Sequence, residues 1–509
     1  MFALVCFALQ GLLPLGEFTV DITVQKPISP YIYGTNFPEW EGLGRGFTLA
    51  RLGGNRTTAY NWETNASNAG ADWHHQNDGH MEESNEAGLT YRKFLEAAQK
   101  HGAGAILTIP TLGYVSADKN ADGDVNKTPD YLNVRFHKSL PAKPGGKLAY
   151  PPDTTDKFVY QDEFVAWLEK IKSPATPLWY SLDNEPDLWA HTHERIQPKP
   201  LTYAEIIANN IAYAKAIKNV APNTMIFGPA NYGWQGFRRF QNASDANDRD
   251  FLDVYLAAMR DAEKAEGKRL IDVLDIHWYP EARGEGIRVS WASEGDKPGT
   301  QLARMQASRS LWDPTYVEDS WIAENLGHKP IVLLPTIMKQ IETHYPGTKL
   351  GITEYNYGGG QNASGLVAQA DVLGLFGRYG LFAACHWGLS PQEIAQLAAF
   401  RAYINYDGNG ARFGDLGLKV SGEDAAQNAL FAALDSKDDK RLTLVGINKT
   451  AEPMPFSVKI PGFAAAAVIG YLVTDADRFK ARPTEVTRSG ETVAWTAPAH
   501  SVITVELRR

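Results

Sequence analysis

The chain has two cysteines in 509 residues, Cys6 and Cys385. That count excludes a disulfide framework and any cysteine-based zinc site. No apolar run reaches the roughly 18 residues a membrane-spanning helix needs, so no membrane partner is expected. Basic charge is short as well: 50 Lys and Arg face 59 Asp and Glu, for a net charge of −9. Nucleic-acid binding needs a basic face, so a nucleic-acid partner is excluded, and a polyanionic substrate is disfavoured. A neutral polymer meets no such objection. No glycine-rich phosphate loop follows the first strand candidate, which counts against an open nucleotide-binding sheet. Internal repeats and low-complexity linkers are also missing.

Residues 1–16 form an apolar leader. It is too short to cross a bilayer and resembles the core of a secretory signal, without a basic start or a small-residue cleavage site. The expectation is a secreted, soluble and monomeric protein.

Aromatic residues are plentiful, with 13 Trp and 22 Tyr. Such rings stack on the apolar faces of sugars as readily as they fill cores. Eight short apolar runs, at 31–36, 48–53, 105–110, 178–185, 224–229, 271–279, 350–356 and 381–387, alternate with amphipathic stretches. Phe164, Trp167, Leu168 and Ile171 share one helical face. Thr202 and Glu205 have capping-box spacing ahead of another helix, and Gly102 and Gly380 stand where helices stop. Eight alternating strand–helix units over 31–415 predict an α/β fold, a (β/α)8 TIM-like barrel. Two polar insertions, 111–157 and 280–328, read as long loops on its C-terminal face. Over 416–509 the helical period gives way to alternating strands, which predicts a C-terminal β-sandwich domain. A strand within 17–30 is expected to join it.

Cleaving a glycosidic bond takes two carboxyl groups flanking it, and a barrel presents such groups at the C-terminal ends of its strands. Glu185 ends the run WYSLDNEP on the fourth strand and Glu354 ends KLGITEY on the seventh. Either glutamate alone could be a structural ion-pair partner. Together they predict the pair of carboxyl groups that glycosidic cleavage needs. Around them, Arg51, Asn55, Asn184, His277, Tyr279, Tyr355 and Trp387 are candidates for holding the carboxylates or the sugar. Trp40, Trp62 and Trp312 are candidate stacking platforms. Packing is the competing role for each.

The motifs PISPYIYGTNF, RLGGNRTTAYNWETNASNAGADW, YSLDNEPDLW, DIHWYP, LWDPTYVEDSW and ITEYNYGG together resemble glycoside hydrolase family 44. The likeness runs over nearly the whole chain from Lys26 onward. It implies a barrel with an attached sandwich and retaining, endo-acting hydrolysis of β-1,4-glucans such as carboxymethylcellulose and xyloglucan. It places the acid/base on Glu185 and the nucleophile on Glu354. A retaining β-mannanase or xylanase, or a non-catalytic carbohydrate-binding protein, is the alternative.

No cofactor is expected for catalysis. Two oxygen-rich clusters are candidates for structural calcium. Asp118, Asn120, Asp122 and Asp124 match the first half of a calcium loop, although Pro129 stands where its bidentate glutamate belongs. A solvated turn is the other reading. Glu63, Asp153 and Asp156 form the second cluster, with helix capping as the alternative for Asp156.

Overall fold

The computed structural model describes residues 16–290 and 297–509. Cys6 and nearly all of the leader therefore lie outside the described residues.

Eight parallel strands close into a barrel: β1 (Gly34–Asn36), β2 (Leu49–Leu52), β3 (Gly104–Ile109), β4 (Leu178–Leu182), β5 (Ile226–Asn231), β6 (Val273–Trp278), β7 (Lys349–Tyr355) and β8 (Ala383–His386). The order is sequential, as the eight apolar runs predicted, and β8 pairs with β1 to close the ring. The strands are buried on both faces because helices cover the outside and side chains fill the lumen. The helix Tyr203–Val220 starts with the anticipated capping box between Thr202 and Glu205.

The lumen changes character along its axis. At its N-terminal end Leu49, Ile106, Trp179, Phe227, Val273 and Ala383 pack together. Two residues further along the strands stand Arg51, Thr108, Ser181, Asp275 and Cys385, all fully buried. Strand alternation turns both sets inward, so a polar layer lies directly beneath the barrel mouth.

β7 breaks this alternation. Against β6, Ile276 pairs with Ile352 but His277 pairs with Glu354, so Thr353 is left without an opposite number. The ladder to β8 slips over the same stretch. One extra residue re-aims the side chains after it. Thr353 reaches into the polar layer, and Glu354, the next residue, also reaches toward the lumen.

The two insertions are not bare loops. The first carries a three-stranded sheet of Tyr114–Ser116, Phe136–Leu140 and Phe158–Tyr160. The second carries a short hairpin and the helices Pro298–Ala307 and Trp321–Asn325.

The C-terminal region is a ten-stranded sheet. Its strand Gly16–Pro27 comes from the N-terminus. It lies between Leu416–Ser421, to which it is antiparallel, and Met454–Lys459, to which it is parallel. A Cβ on Gly446 would meet the Trp495 and Phe456 rings, from strands that are not its neighbours in the sheet. The sheet therefore doubles over on its own core as a sandwich. Leu416–Ser421, Arg482–Thr484, Thr487–Ser489 and Thr492–Ala497 are strands that hydrophobic alternation did not reveal. The first three have no buried residue to mark a core-facing side. No helix among the described residues is long and apolar enough to cross a membrane.

Candidate active site

The mouth of the barrel gathers residues from six of its strands. Glu185 follows β4 in a left-handed backbone conformation, φ +44°. Asp183, at φ +65°, is also left-handed. Such conformations cost a non-glycine residue free energy and persist only where surroundings enforce them. Here Asp183 accepts hydrogen bonds from the backbone N–H groups of Leu112 (3.2 Å) and Asn184 (2.8 Å) and from that of Thr111. Glu185 N–H donates to Ala230 O at 3.0 Å, and Trp189 Nε1 donates to Asn184 O at 3.0 Å. These bonds hold the chain reversal that turns Asn184 and Glu185 into the mouth.

Arg51, fully buried on β2, organises the floor. It donates to Glu354 Oε1 at 2.7 Å, Asn36 Oδ1 at 3.1 Å and Asn184 Oδ1 at 2.9 Å. Tyr279 Oη donates to the other oxygen of Glu354 at 2.9 Å. Glu354 is thus held as a charged acceptor with both oxygens engaged. Glu185 meets no cation directly. Its bonded neighbour is His277, whose Nδ1 lies 2.8 Å from Glu185 Oε1. Burial raises the Glu185 carboxyl to about 7, opposed by Arg51 and assisted by Asp72. Burial lowers His277 to about 3, so the imidazole is neutral. Two carboxyls in one site thus have opposite environments, one ion-paired and one set to hold a proton.

Oxygens of Glu185 and Glu354 and a nitrogen of His277 lie within 4.8 Å of one another. Three such ligands can suit a divalent metal, but Arg51 already sets its positive charge against Glu354.

Asn55 lines the mouth and donates to Asp72 Oδ1 at 2.8 Å. Trp387 forms one wall, with Phe37 edge-on to it at 5.7 Å. Phe37 is 44% exposed, a large apolar surface at the cleft. Asn36, Phe37 and Asp72 stand within the motifs PISPYIYGTNF and RLGGNRTTAYNWETNASNAGADW, but sequence reasoning gave none of them a role in the site.

Several expected residues lie elsewhere. Trp62 is fully buried and stacks on Phe164 and Trp167, so it is core rather than a sugar platform. Trp40 stacks on His101, which follows the helix preceding β3 and so belongs to the far end of the barrel. Trp312 packs over Arg378 between barrel and sandwich. Tyr355 points outward from β7, and its hydroxyl accepts from Gln369 behind the strand.

The calcium-loop reading of 118–124 is also corrected. Asp118 and Asp122 pair with Arg135, and Asp124 pairs with Arg195. Guanidinium groups occupy the carboxylates that a cation would need. Asn120 stays at the surface, its N–H bonded to Asp118. At the second cluster Glu63 is buried. Burial, with Asp156, Glu163 and Asp153 adding to it and Lys143 opposing, raises its carboxyl to about 8. Asp153 and Asp156 accept from the backbone of Thr155 and Phe158.

Comparison with known proteins follows the same lines. Residues 66–282 match the model of glycoside hydrolase family 44. A beta-mannanase/endoglucanase A from Caldicellulosiruptor saccharolyticus is 40% identical over 493 residues, covering 89% of this chain. The chain spans 36% of that relative's length. A family 44 endoglucanase from Clostridium thermocellum superposes with a TM-score of 0.91 at 38% identity, covering 97% of this chain and 99% of that one. A family 44 xyloglucanase from Paenibacillus polymyxa, solved with xyloglucan, gives 0.90 at 36% identity with the same coverage. With this identity sustained over nearly the full length of both solved structures, the chain belongs to glycoside hydrolase family 44.

Proposed function

We propose that the protein is an extracellular, endo-acting β-1,4-glucanase that works by retaining double displacement, with Glu354 as nucleophile and Glu185 as acid/base. The observation that carries the mechanism is that one oxygen of each carboxyl lies within 4.8 Å of the other. Retaining enzymes hold the pair about 5–5.5 Å apart, whereas inverting enzymes need about 6.5–9.5 Å to seat a water. The charged environment of Glu354 suits attack on the anomeric carbon. The protonated Glu185 suits donation to the leaving oxygen, and once the glycosyl ester has formed the same group takes a proton from water. Arg51 and Tyr279 hold the nucleophile, while Trp387, Phe37 and Asn55 offer a stacking face and a polar edge to the sugar. The names of the relatives support β-glucan and xyloglucan as substrates, with mannan as the second choice.

The test is hydrolysis of carboxymethylcellulose and xyloglucan with product anomers followed by NMR. β-Anomers appearing first support retention. α-Anomers appearing first overturn the nucleophile assignment, and cleavage of mannan alone overturns the glucan preference.

Gly54 gives a further expectation. It sits at φ +85°, and a Cβ there would stand 2.8 Å from the Trp387 ring. Gly54→Ala should displace that ring, raising KM several-fold, and cost about 1 kcal/mol or more in backbone strain. Kinetics and thermal melting of the variant check both.

For the cluster at Glu63 we propose a structural calcium ion. Its support is the buried Glu63 carboxyl facing Asp156, Glu163 and Asp153, a situation a hard cation relieves. Calcium at a hundred times its Kd would stabilise the fold by about 2.7 kcal/mol. Melting temperature should therefore rise with calcium and fall with chelator, and Glu63→Gln should abolish the response. Identical melting in both conditions overturns the site.

A further inference from the structure

Behind the acid/base carboxyl runs a chain of hydrogen bonds that the two-glutamate scheme does not use. His277 Nδ1 lies 2.8 Å from Glu185 Oε1, and its Nε2 lies 3.3 Å from Thr353 Oγ1. Thr353 Oγ1 lies 2.9 Å from Asp275 Oδ2. The backbone N–H of Thr353 donates to Asp275 Oδ1 at 3.3 Å. His277, Thr353 and Asp275 are each fully buried. The β7 irregularity puts Thr353 there, and strand alternation puts Asp275 two residues before His277 on the same side of β6.

Counting protons shows what the chain does. The imidazole is neutral and has one N–H, and the threonine has one O–H. Three contacts need three donated protons, so a third proton sits on one of the two carboxyls. If it is on Glu185, Glu185 donates to Nδ1, Nε2–H donates to Thr353, and the threonine hydroxyl donates to an ionised Asp275. If it is on Asp275, every bond reverses: Asp275 donates to Thr353, Thr353 to Nε2, and Nδ1–H to an ionised Glu185. Passing between the two states breaks the Glu185 O–H, Nε2–H and Thr353 O–H bonds. It forms Nδ1–H, a new Thr353 O–H and Asp275 O–H. One proton moves in net, and no charge appears on the imidazole.

We propose that Asp275, acting through Thr353 and His277, is a positioning residue that shares one proton with Glu185 and couples the imidazole tautomer facing it to that proton. The proposal rests on Glu185 being the acid/base. Burial raises both Glu185 and Asp275 to about 7, so neither end traps the proton. Arg51 from β2 and Glu354 from β7 face Asp275 across the lumen; Cys385 from β8 and Tyr255 from the outer helix Phe251–Glu266 are within its electrostatic reach. Arg51 and Asp72 act on Glu185, Asp187, Tyr279 and Tyr232 lie near it, and Glu354 Oε2 stands 3.5 Å from His277 Nδ1.

The test is Asp275→Asn, with Thr353→Val and Thr353→Ser beside it. In the asparagine variant the backbone N–H of Thr353 still requires the amide oxygen, so the amide NH₂ faces the threonine hydroxyl. That locks the second direction, with Nδ1–H donating to an ionised Glu185. A hydrogen bond to the charged form favours it. The alkaline limb of the pH–rate profile should therefore move down by about one unit, a tenfold loss of kcat on that side. ¹⁵N NMR should find His277 divided between the Nε2–H and Nδ1–H tautomers in wild type and held as Nδ1–H in the variant. Thr353→Val should shift the limb the same way, and Thr353→Ser, which keeps the hydroxyl, should restore it. An unchanged tautomer and limb in Asp275→Asn and Thr353→Val, with only lowered melting, overturns the proposal. The tautomer measurement needs no substrate, so it reports on the chain separately from whether wild type cleaves β-glucan.

Discussion

Glu354→Gln is expected to abolish β-glucan hydrolysis, lowering kcat by about 10⁴-fold or more, because no other group in the mouth can form the glycosyl ester. Glu185→Gln is expected to behave differently. General acid catalysis contributes about 10²–10⁴-fold, so polysaccharide cleavage should fall by that much. An oligosaccharide with a dinitrophenyl leaving group needs no proton, so it should still form the ester and then wait for slow hydrolysis. A burst of dinitrophenolate followed by a slow phase would show this, and its absence would remove Glu185 from the acid/base role. In wild type the rate should fall as pH rises through about 7, where Glu185 loses its proton. The same residue links pH to stability. Its carboxyl is raised above its unfolded value of 4.5, so the folded protein holds a proton that the unfolded chain has released. That contribution is whole below about 4.5 and is lost as pH rises through about 7. Glu185→Gln never carries the charge, so above pH 7 it should melt at or above the wild-type temperature while remaining inactive. Melting curves at two pH values on either side of this window check it.

The second large effect belongs to Arg51. Arg51→Met keeps much of the volume but leaves Glu354 without its counter-ion in a fully buried layer. Breaking a buried ion pair by removing one partner costs about 3–5 kcal/mol. Asn36 and Asn184, which both accept from the guanidinium, would lose a donor as well. A marked fall in melting temperature should accompany loss of hydrolysis. Arg51→Lys should recover stability better than activity, because an ammonium cannot span Glu354, Asn36 and Asn184 in one plane. Stability close to wild type in Arg51→Met would mean that the ion pair does not hold the floor of the site.

Strand number and the two glutamates were legible because each depends on short-range pattern. An apolar run followed by a polar residue marks the top of a barrel strand, and that rule found Glu185, Glu354, Arg51, Asn184, His277 and Tyr279, which the structure brings together. The tryptophans failed the same treatment. Trp40, Trp62 and Trp312 sit in segments between strands, where sequence cannot say whether a ring turns to the cleft or to a neighbouring helix. The acids at 118–124 failed because no local spacing ties them to their partners, Arg135 on the same insertion and Arg195 beyond the fourth strand. Phe37 closes the motif PISPYIYGTNF, but a motif does not say which way one ring turns. Asp275 and Thr353 read as ordinary strand interior, and only the slipped ladder of β7 reveals that they meet.

The strand Gly16–Pro27 links the first described residues to the last third of the chain. Ser421 bonds Thr19 across 402 positions. During synthesis this strand emerges well before its sheet neighbours, so it must stay unpaired while the whole barrel is made. Its exposed edges would be an aggregation hazard for that interval. Once the barrel has closed, Ile28 N–H bonds Asp415 O, and the two ends of the catalytic body stand side by side. Much of the entropy of closing so long a loop has then already been spent, and the final pairing becomes a local event. Trimming Gly16–Pro27 would therefore split a sheet between Leu416–Ser421 and Met454–Lys459, and trimming from Leu416 onward would leave Gly16–Pro27 with no partner in its sheet.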